Sequence, residues 1–155
     1  IACSAAISAC EKGALAERAA ELLAELPSHR LVADEVTYGA AISACEKGRR
    51  PERALELLEE MAARRVWPGV ICYSAAVSAC EKVGRAELAV RLLGCMRRDG
   101  LQPNVVTYSA AISACEKAGD AEKAMALLEE VGRARLRPNV VTYNAGVSAC
   151  GRSKQ

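Results

Sequence analysis

Cysteine is the most reactive side chain that this sequence uses repeatedly, and the chain has eight of them. Cysteines bind zinc when they stand as C-x-x-C or beside histidines, and no C-x-x-C occurs here. Five cysteines instead recur 35 residues apart, at Cys10, Cys45, Cys80, Cys115 and Cys150. Equivalent residues on stacked helices lie about 8–10 Å apart, whereas a disulfide needs Cα atoms within about 7 Å. We therefore expect free, buried thiols and a reducing compartment.

Few other groups in the chain are suited to catalysis. The only histidine is His29, which argues against a His-based catalytic triad and against a His-rich metal site. The H-x-E and C-x-x-C motifs of zinc deaminases are absent. The adjacent carboxylates Glu59–Glu60 and Glu129–Glu130 recur with the same spacing, and we expect each pair to lie side by side on the outer face of a helix. The sequence thus predicts no enzyme activity, no metal and no cofactor.

Length and composition exclude several classes of protein. A chain of 155 residues is typical of one domain with a core of its own. The net charge of +2 argues against a strongly basic nucleic-acid arm or an acidic tail. Aromatic residues make up 3 %, too few for a surface built from many stacked rings. No apolar run approaches the length of about 18 residues that a membrane-spanning helix needs, so we expect no membrane insertion.

The spacing of the cysteines belongs to an internal repeat. Tyr38, Tyr73, Tyr108 and Tyr143 are also 35 residues apart, and so are Pro68, Pro103 and Pro138. The phrase Ser-Ala-Cys-Glu-Lys occurs at 8–12, 43–47, 78–82 and 113–117. A period of this size indicates a repeat array or solenoid.

Each unit of the repeat predicts two helices. In the fourth unit, Thr107 is a suitable N-cap for a helix over 108–117, and Gly119 stands where a left-handed C-cap is favoured. Asp120 then caps a helix over 121–134, whose apolar residues follow the i, i+3, i+4, i+7 pattern of one helix face. We expect Trp67, in a linker between units, to pack against the protein.

One helical hairpin cannot bury its apolar face alone, so the copies must stack. The sequence predicts an all-α fold, a right-handed α-solenoid of helix-turn-helix repeats, as a single domain over residues 1–155. The repeats are expected at about 1–34, 35–69, 70–104, 105–139 and 140–155, with the first and last incomplete. Neither end shows the polar cap of a terminal repeat, so we expect a part of a longer array.

The motifs of the repeat resemble those of the P-type pentatricopeptide repeat (PPR) family, which has 35-residue units. The resemblance rests on Asn-Val-Val-Thr-Tyr at 104–108 and 139–143, Glu-Lys-Ala-Gly-Asp-Ala-Glu-Lys-Ala at 116–124, Leu-Leu-Glu-Glu-Met at 57–61 and Leu-Gln-Pro-Asn at 101–104. The phrase Ala-Ile-Ser-Ala-Cys-Glu-Lys is similar to PPR arrays of some unicellular algae. The resemblance implies an α-solenoid that binds single-stranded RNA in organellar RNA metabolism, with one base read per repeat.

In that family, the residue after the Tyr and the residue after the closing Pro read one base together. The resemblance assigns this role to Ser4 with Asp34, Gly39 with Gly69, Ser74 with Asn104, Ser109 with Asn139, and to Asn144 alone. It implies guanine for Ser with Asp, adenine for Ser with Asn and a pyrimidine for Asn. Because two glycines offer no hydrogen-bonding side chain, the implied sequence is 5′-G-N-A-A-(C/U)-3′. Ser and Asn are also common in caps and turns, so a purely structural role is the alternative.

Two further sets of residues would complete the RNA site. The resemblance implies that an aliphatic residue two before the Tyr wedges against the base, which gives Val36, Ile71, Val106 and Val141. Lysines also recur with the period, at Lys12, Lys47, Lys82 and Lys117, and Arg152 continues the line. A row of cations along the groove would contact phosphates, although such lysines are often simply a solvated helix face.

Two classes of function are open from the sequence. The first is a module that binds single-stranded RNA. The second is a scaffold that binds protein subunits of a large organellar assembly, because helical solenoids serve both uses. Polar pairs in three repeats favour RNA, whereas the double-glycine repeat and the near-neutral charge favour the scaffold. We expect no DNA partner, and the resemblance places the protein in a mitochondrion or plastid.

Overall fold

The computed structural model describes residues 2–152, apart from the side chains of residues 2–4, 150 and 152. This part of the chain consists of α-helices, one short 3₁₀ helix (Leu26–His29) and the turns between them, which confirms the all-α prediction. The α-helices are α1 (Ala2–Lys12), α2 (Ala16–Glu25), α3 (Glu35–Lys47), α4 (Pro51–Ala63), α5 (Val70–Val83), α6 (Ala86–Arg98), α7 (Val105–Ala118), α8 (Ala121–Arg133) and α9 (Val140–Arg152).

The chain divides into two compact units, residues 1–79 and residues 80–155, and the boundary lies within α5. In the first unit, α1 packs against α2 and α3, α2 against α3, and α3 against α4. In the second unit, α7 packs against α6, α8 and α9, and α8 against α9. Within each unit, the first helices of successive pairs therefore lie side by side, with second helices packed against them. This is the arrangement of a helical-repeat solenoid.

The second helix of each pair buries one apolar stripe. In α4 the stripe is Ala54, Leu57, Leu58 and Met61, and all four are buried. In α8 the corresponding buried residues are Ala124, Leu127 and Val131. Complete burial of one such Leu or Met side chain stabilises the fold by about 1.5–3 kcal/mol. The stripe is therefore what holds each second helix to its neighbours.

The repeated cysteines lie in the core that the first helices form. Cys10, Cys45, Cys80 and Cys115 are buried thiols that form no disulfide among the described residues, whereas the side chain of Cys150 is outside them. Burial raises the pKa of the Cys45 thiol to about 12. It likewise raises the pKa of Cys115 to about 11. Since the thiolate is the reactive form, these residues act as small apolar side chains at neutral pH.

The first helices begin three residues earlier than the sequence predicts. We expected Thr107 to cap a helix starting at Tyr108, but α7 begins at Val105 and its N-cap is Asn104. The Asn104 side chain accepts a hydrogen bond from the Thr107 amide, one of the N–H groups that a helix start leaves unpaired. At the other end, the left-handed C-cap of Gly119 and the N-cap of Asp120 are as predicted.

The paired glutamates do not lie side by side on an outer face, and that prediction was wrong. Glu60 accepts a hydrogen bond from the Tyr38 hydroxyl at 2.9 Å, whereas Glu59 is exposed. Glu130 lies 3.5 Å from the Tyr108 hydroxyl in the same way. Adjacent helical residues point about 100° apart, so only one of two neighbours can face the partner helix. These carboxylates connect the two helices of a pair.

Two kinds of feature are absent from the part of the chain that the structure describes. No helix between residues 2 and 152 is both long and apolar enough to cross a bilayer. Over the same residues, the side chains of His, Cys, Asp and Glu form no group of three that could hold a metal ion.

Candidate nucleic-acid interface

The first helices α3, α7 and α9 start with the same capping arrangement. Asp34 Oδ1 accepts hydrogen bonds from the Thr37 amide at 2.8 Å and from the Thr37 hydroxyl at 2.5 Å. Asn104 and Asn139 accept the same two bonds from the Thr three residues later, at 2.8–2.9 Å. The residues assigned to base reading are therefore also the N-caps of their helices. Their role in base reading stays a prediction.

Each cap uses one terminal atom of its side chain and leaves a second polar atom outside the cap. Because the Asn side chain uses its oxygen for the cap, its Nδ2 hydrogens remain available to donate. Asp34 uses one oxygen, so its second oxygen remains available to accept. Hydrogen bonds from the Thr37 hydroxyl and amide lower the pKa of Asp34, which keeps the carboxylate charged at neutral pH. Asp34, Asn104 and Asn139 are all exposed.

A hydrogen-bond relay joins Ser109 to Asn139 through Thr142. The Thr142 hydroxyl donates its one hydrogen to Asn139 Oδ1 at 2.8 Å, so it must accept from Ser109 Oγ, which lies 2.5 Å away. Ser109 is 8 % exposed, and because it donates its one hydrogen to Thr142, its oxygen remains only as an acceptor. The pair thus presents one acceptor, Ser109, and one donor, Asn139. Our sequence reasoning missed Thr142, although Thr precedes the repeated Tyr at 37, 107 and 142.

The other assigned readers differ in their surroundings. Gly39 is half-buried, and a Cβ added to it would lie 3.7 Å from Cys72 Sγ. Ser74 is half-buried and Asn144 is exposed. The side chain of Ser4 lies outside the described residues. Both members of a reading pair lie within one compact unit, with described side chains or as glycines, only for Ser109 with Asn139 and Gly39 with Gly69.

The assigned wedge residues are exposed aliphatic side chains. Val36 is 78 % exposed, Ile71 77 %, Val106 66 % and Val141 59 %. Each occupies the second position of its helix, beside the cap. An exposed aliphatic residue thus recurs at the same place in four helices.

The lysines make contacts that the sequence reasoning did not foresee. Lys47 Nζ lies 3.0 Å from Glu11 Oε1, and Lys117 Nζ lies 3.2 Å from Glu81 Oε1. Each lysine thus pairs with the acidic residue of the preceding repeat, 36 positions earlier. The signal was present, because Glu precedes Lys in each of these repeats.

These ion pairs do not remove the lysines from solvent. The side chains of Lys47 and Lys117 remain 44 % and 46 % exposed. Lys12 is exposed as well, Lys82 is half-buried, and the Arg152 side chain lies outside the described residues. Phosphate contact by this row stays a prediction.

Family profiles match most of the chain. A profile described as a pentatricopeptide repeat domain matches residues 91–153. A second profile, described as a PPR repeat, matches residues 36–66 and 71–101. No curated protein matches the chain.

Solved structures share the fold over nearly the whole chain. The pentatricopeptide repeat protein PPR10 from maize superposes with a TM-score of 0.83 at 22 % identity, covering 98 % of this chain and 22 % of that one. PPR10 in complex with an 18-nt psaJ RNA element gives 0.77 at 31 % identity, covering 99 % and 23 %. The PPR domain of Arabidopsis thaliana protein-only RNase P 1, in complex with tRNA, gives 0.80 at 18 %, covering 96 % and 78 %. The chain thus spans less than a quarter of the maize protein.

Proposed function

The chain belongs to the pentatricopeptide repeat family, and from this premise we propose that it binds single-stranded RNA at the N-terminal ends of its first helices. One base is bound per repeat, with the repeats divided at residues 34, 69, 104 and 139. Two similar structures are described as complexes with RNA, one with a psaJ element and one with tRNA. The proposal extends that property to this chain.

The observation that supports this function best is the relay from Ser109 to Asn139. It presents an acceptor at Ser109, which is 8 % exposed, and a donor at exposed Asn139, beside the exposed side chain of Val141. The Watson–Crick edge of adenine offers the complementary pair, the N6 amino donor and the N1 acceptor. Asp34 in place of Asn would present a second acceptor, which suits the two adjacent donors of guanine, N1–H and N2–H. The chemistry of the caps therefore supports adenine for Ser with Asn and guanine for Ser with Asp.

The wedge residues supply the apolar half of the site. RNA-binding proteins usually stack bases on aromatic rings, but this chain has only 3 % aromatic residues. Exposed Val36, Ile71, Val106 and Val141 provide an aliphatic surface for the base faces instead. With the parallel orientation of the family, we propose that the reading pairs select the RNA sequence 5′-G-N-A-A-(C/U)-3′. The lysine row then lies along the phosphates of the bound strand.

A short array should bind weakly. Stacking contributes about 1–3 kcal/mol per base, and ordering of the strand costs several kcal/mol, so we expect a Kd of about 1 μM or weaker. We propose that the protein acts as a binding module without catalysis of its own, in a mitochondrion or plastid as is typical of its family.

Fluorescence anisotropy with a labelled G-U-A-A-C RNA tests the proposal. The control RNA has both adenines changed to cytosine, and both are measured at two salt concentrations. Preference for the first RNA supports base reading. Equal binding that collapses with salt means that the lysines bind backbone without reading. Absence of binding to both RNAs would favour the scaffold function, and the next step would be to identify a protein partner.

A further inference from the structure

Helices α3 and α5 lack every polar member of the relay that Ser109, Thr142 and Asn139 form between α7 and α9. Gly39 stands at the position of Ser109, Cys72 at that of Thr142 and Gly69 at that of Asn139. Helix α3 also differs in its first residue. It begins with Glu35, whereas α5, α7 and α9 begin with Val70, Val105 and Val140. The Glu35 carboxylate and the two glycines thus occur in one repeat, and Cys72 follows near the start of the next.

The structure places the Glu35 carboxylate where the missing side chain would be. A Cβ added to Gly69 would lie 3.4 Å from Glu35 Cδ and closer still to Glu35 Oε1. Glu35 therefore fills the space that Asn104 and Asn139 fill at the starts of their own helices. Burial raises the pKa of the Cys72 thiol, and the negative charge of Glu35 adds to that shift, as expected for a carboxylate beside the relay position.

We propose that Glu35 reads the base of the second repeat and selects guanine. This inference rests on the proposed RNA-binding function and replaces the expectation that the Gly39–Gly69 repeat discriminates poorly. Glu35 is exposed, and its side chain lies at the edge where the cap side chain of the other repeats faces the base. The absence of side chains at both glycines leaves room for a purine to approach it.

Guanine is selected because a carboxylate can only accept hydrogen bonds. The two oxygens of Glu35 match the adjacent N1–H and N2–H donors of guanine. Adenine and cytosine each place an unprotonated ring nitrogen beside their amino donor, which repels a carboxylate. Uracil has one donor between two carbonyl oxygens. The order of preference is therefore guanine first, with the other three bases well below it.

Anisotropy with four RNAs, G-X-A-A-C with X as each base, tests the inference. Wild type should bind the X = G RNA about tenfold more tightly than the others, as for a good bidentate contact. Glu35→Val, which installs the residue of the other repeats, should bring the four RNAs to similar affinities. Gly69→Asn adds a side chain where the carboxylate lies and should also abolish the preference for guanine. Glu122→Val, which removes an exposed first-turn carboxylate of α8, is the matched control and should keep it.

Selection of adenine at the fourth base of the RNA distinguishes the proposed RNA-binding function from the proposed guanine reading by Glu35. If wild type selects that adenine but treats the four X bases alike, the reading role of Glu35 is wrong and the RNA-binding function stands. A guanine preference that persists in Glu35→Val also refutes it. Failure of every RNA to bind would overturn both proposals. Thermal unfolding of each variant separates loss of reading from loss of fold.

Discussion

The Tyr38 hydroxyl donates to Glu60 Oε1 at 2.9 Å and thereby connects α3 to α4. Tyr38 is fully buried, and Glu60 is held in addition by Arg64 at 2.8 Å. Burial first, and then the hydrogen bond to Glu60, raise the pKa of Tyr38 to about 12. Tyr38 and Tyr108 therefore connect the two helices of their pairs, whereas Tyr143 is exposed.

Tyr38→Phe should lower the free energy of unfolding by about 1–2 kcal/mol, because it removes a buried hydrogen bond to a charged group. The folded state raises the pKa of Tyr38, so this stabilisation is complete below about pH 10 and is lost as the pH rises through about 12. Urea unfolding followed by circular dichroism measures the difference. Tyr108→Phe, whose contact with Glu130 is longer at 3.5 Å, should cost less. Equal losses for both variants would contradict this account.

Thiol reactivity should follow burial. Iodoacetamide labelling of the native protein, mapped by mass spectrometry, should modify half-buried Cys95 well before Cys45 or Cys115. The buried pair is protected twice, because reagent cannot reach them and burial raises their pKa values to about 12 and about 11. Labelling of Cys45 as fast as Cys95 in the folded protein would show that the first helices do not form the core described here.

Val106 tests the apolar half of the proposed RNA site. Because its side chain is exposed, Val106→Ala should change the free energy of unfolding by no more than about 0.5 kcal/mol. It should still weaken RNA binding by roughly fivefold, through lost contact with a base face. Val32→Ala is the matched control, since Val32 is 91 % exposed in the linker before α3. An identical small effect of both substitutions on affinity would rule out the wedge.

Lys117 distinguishes a phosphate contact from a purely structural ion pair. The Lys117–Glu81 pair is largely exposed and should contribute only about 0.2–1 kcal/mol to stability. If Lys117 also contacts RNA, Lys117→Ala reduces the slope of log K against log salt by about 0.7. Glu81→Gln, which releases the lysine, should keep or increase affinity. Unchanged salt slopes in both variants would leave the lysine row with its structural role alone.

The repeat was predictable because its signals are local. Gly119 and Asp120 mark a helix end and the next start by backbone chemistry that needs no tertiary contact. The cap was assigned to Thr107 instead of Asn104, because Thr is also a good cap residue. Only the three-dimensional hydrogen bonds distinguish the two. Trp67, expected to pack, is exposed, since periodicity does not specify the path of a linker.

The contacts between repeats could not be derived from one repeat. The Lys47–Glu11 pair and the Ser109–Thr142 bond join residues 36 and 33 positions apart, so they depend on how neighbouring helices are offset. Residue types predicted the candidate site, but the direction of each hydrogen bond required the structure. That direction is what assigns an acceptor to Ser109 and a donor to Asn139.

We propose that the cap oxygen of Asn139 holds the helix start and that the other terminal atom of this side chain selects the base. Asn139→Asp tests it, because it keeps the oxygen that accepts from Thr142 and replaces the outward donor by an acceptor, as in Asp34. Anisotropy with RNAs that differ only in the fourth base should show a change of preference from adenine to guanine, with an unchanged melting temperature. Asn139→Ala should lose selectivity and, as a lost N-cap, about 1 kcal/mol of stability. Retention of adenine preference by Asn139→Asp would contradict the account.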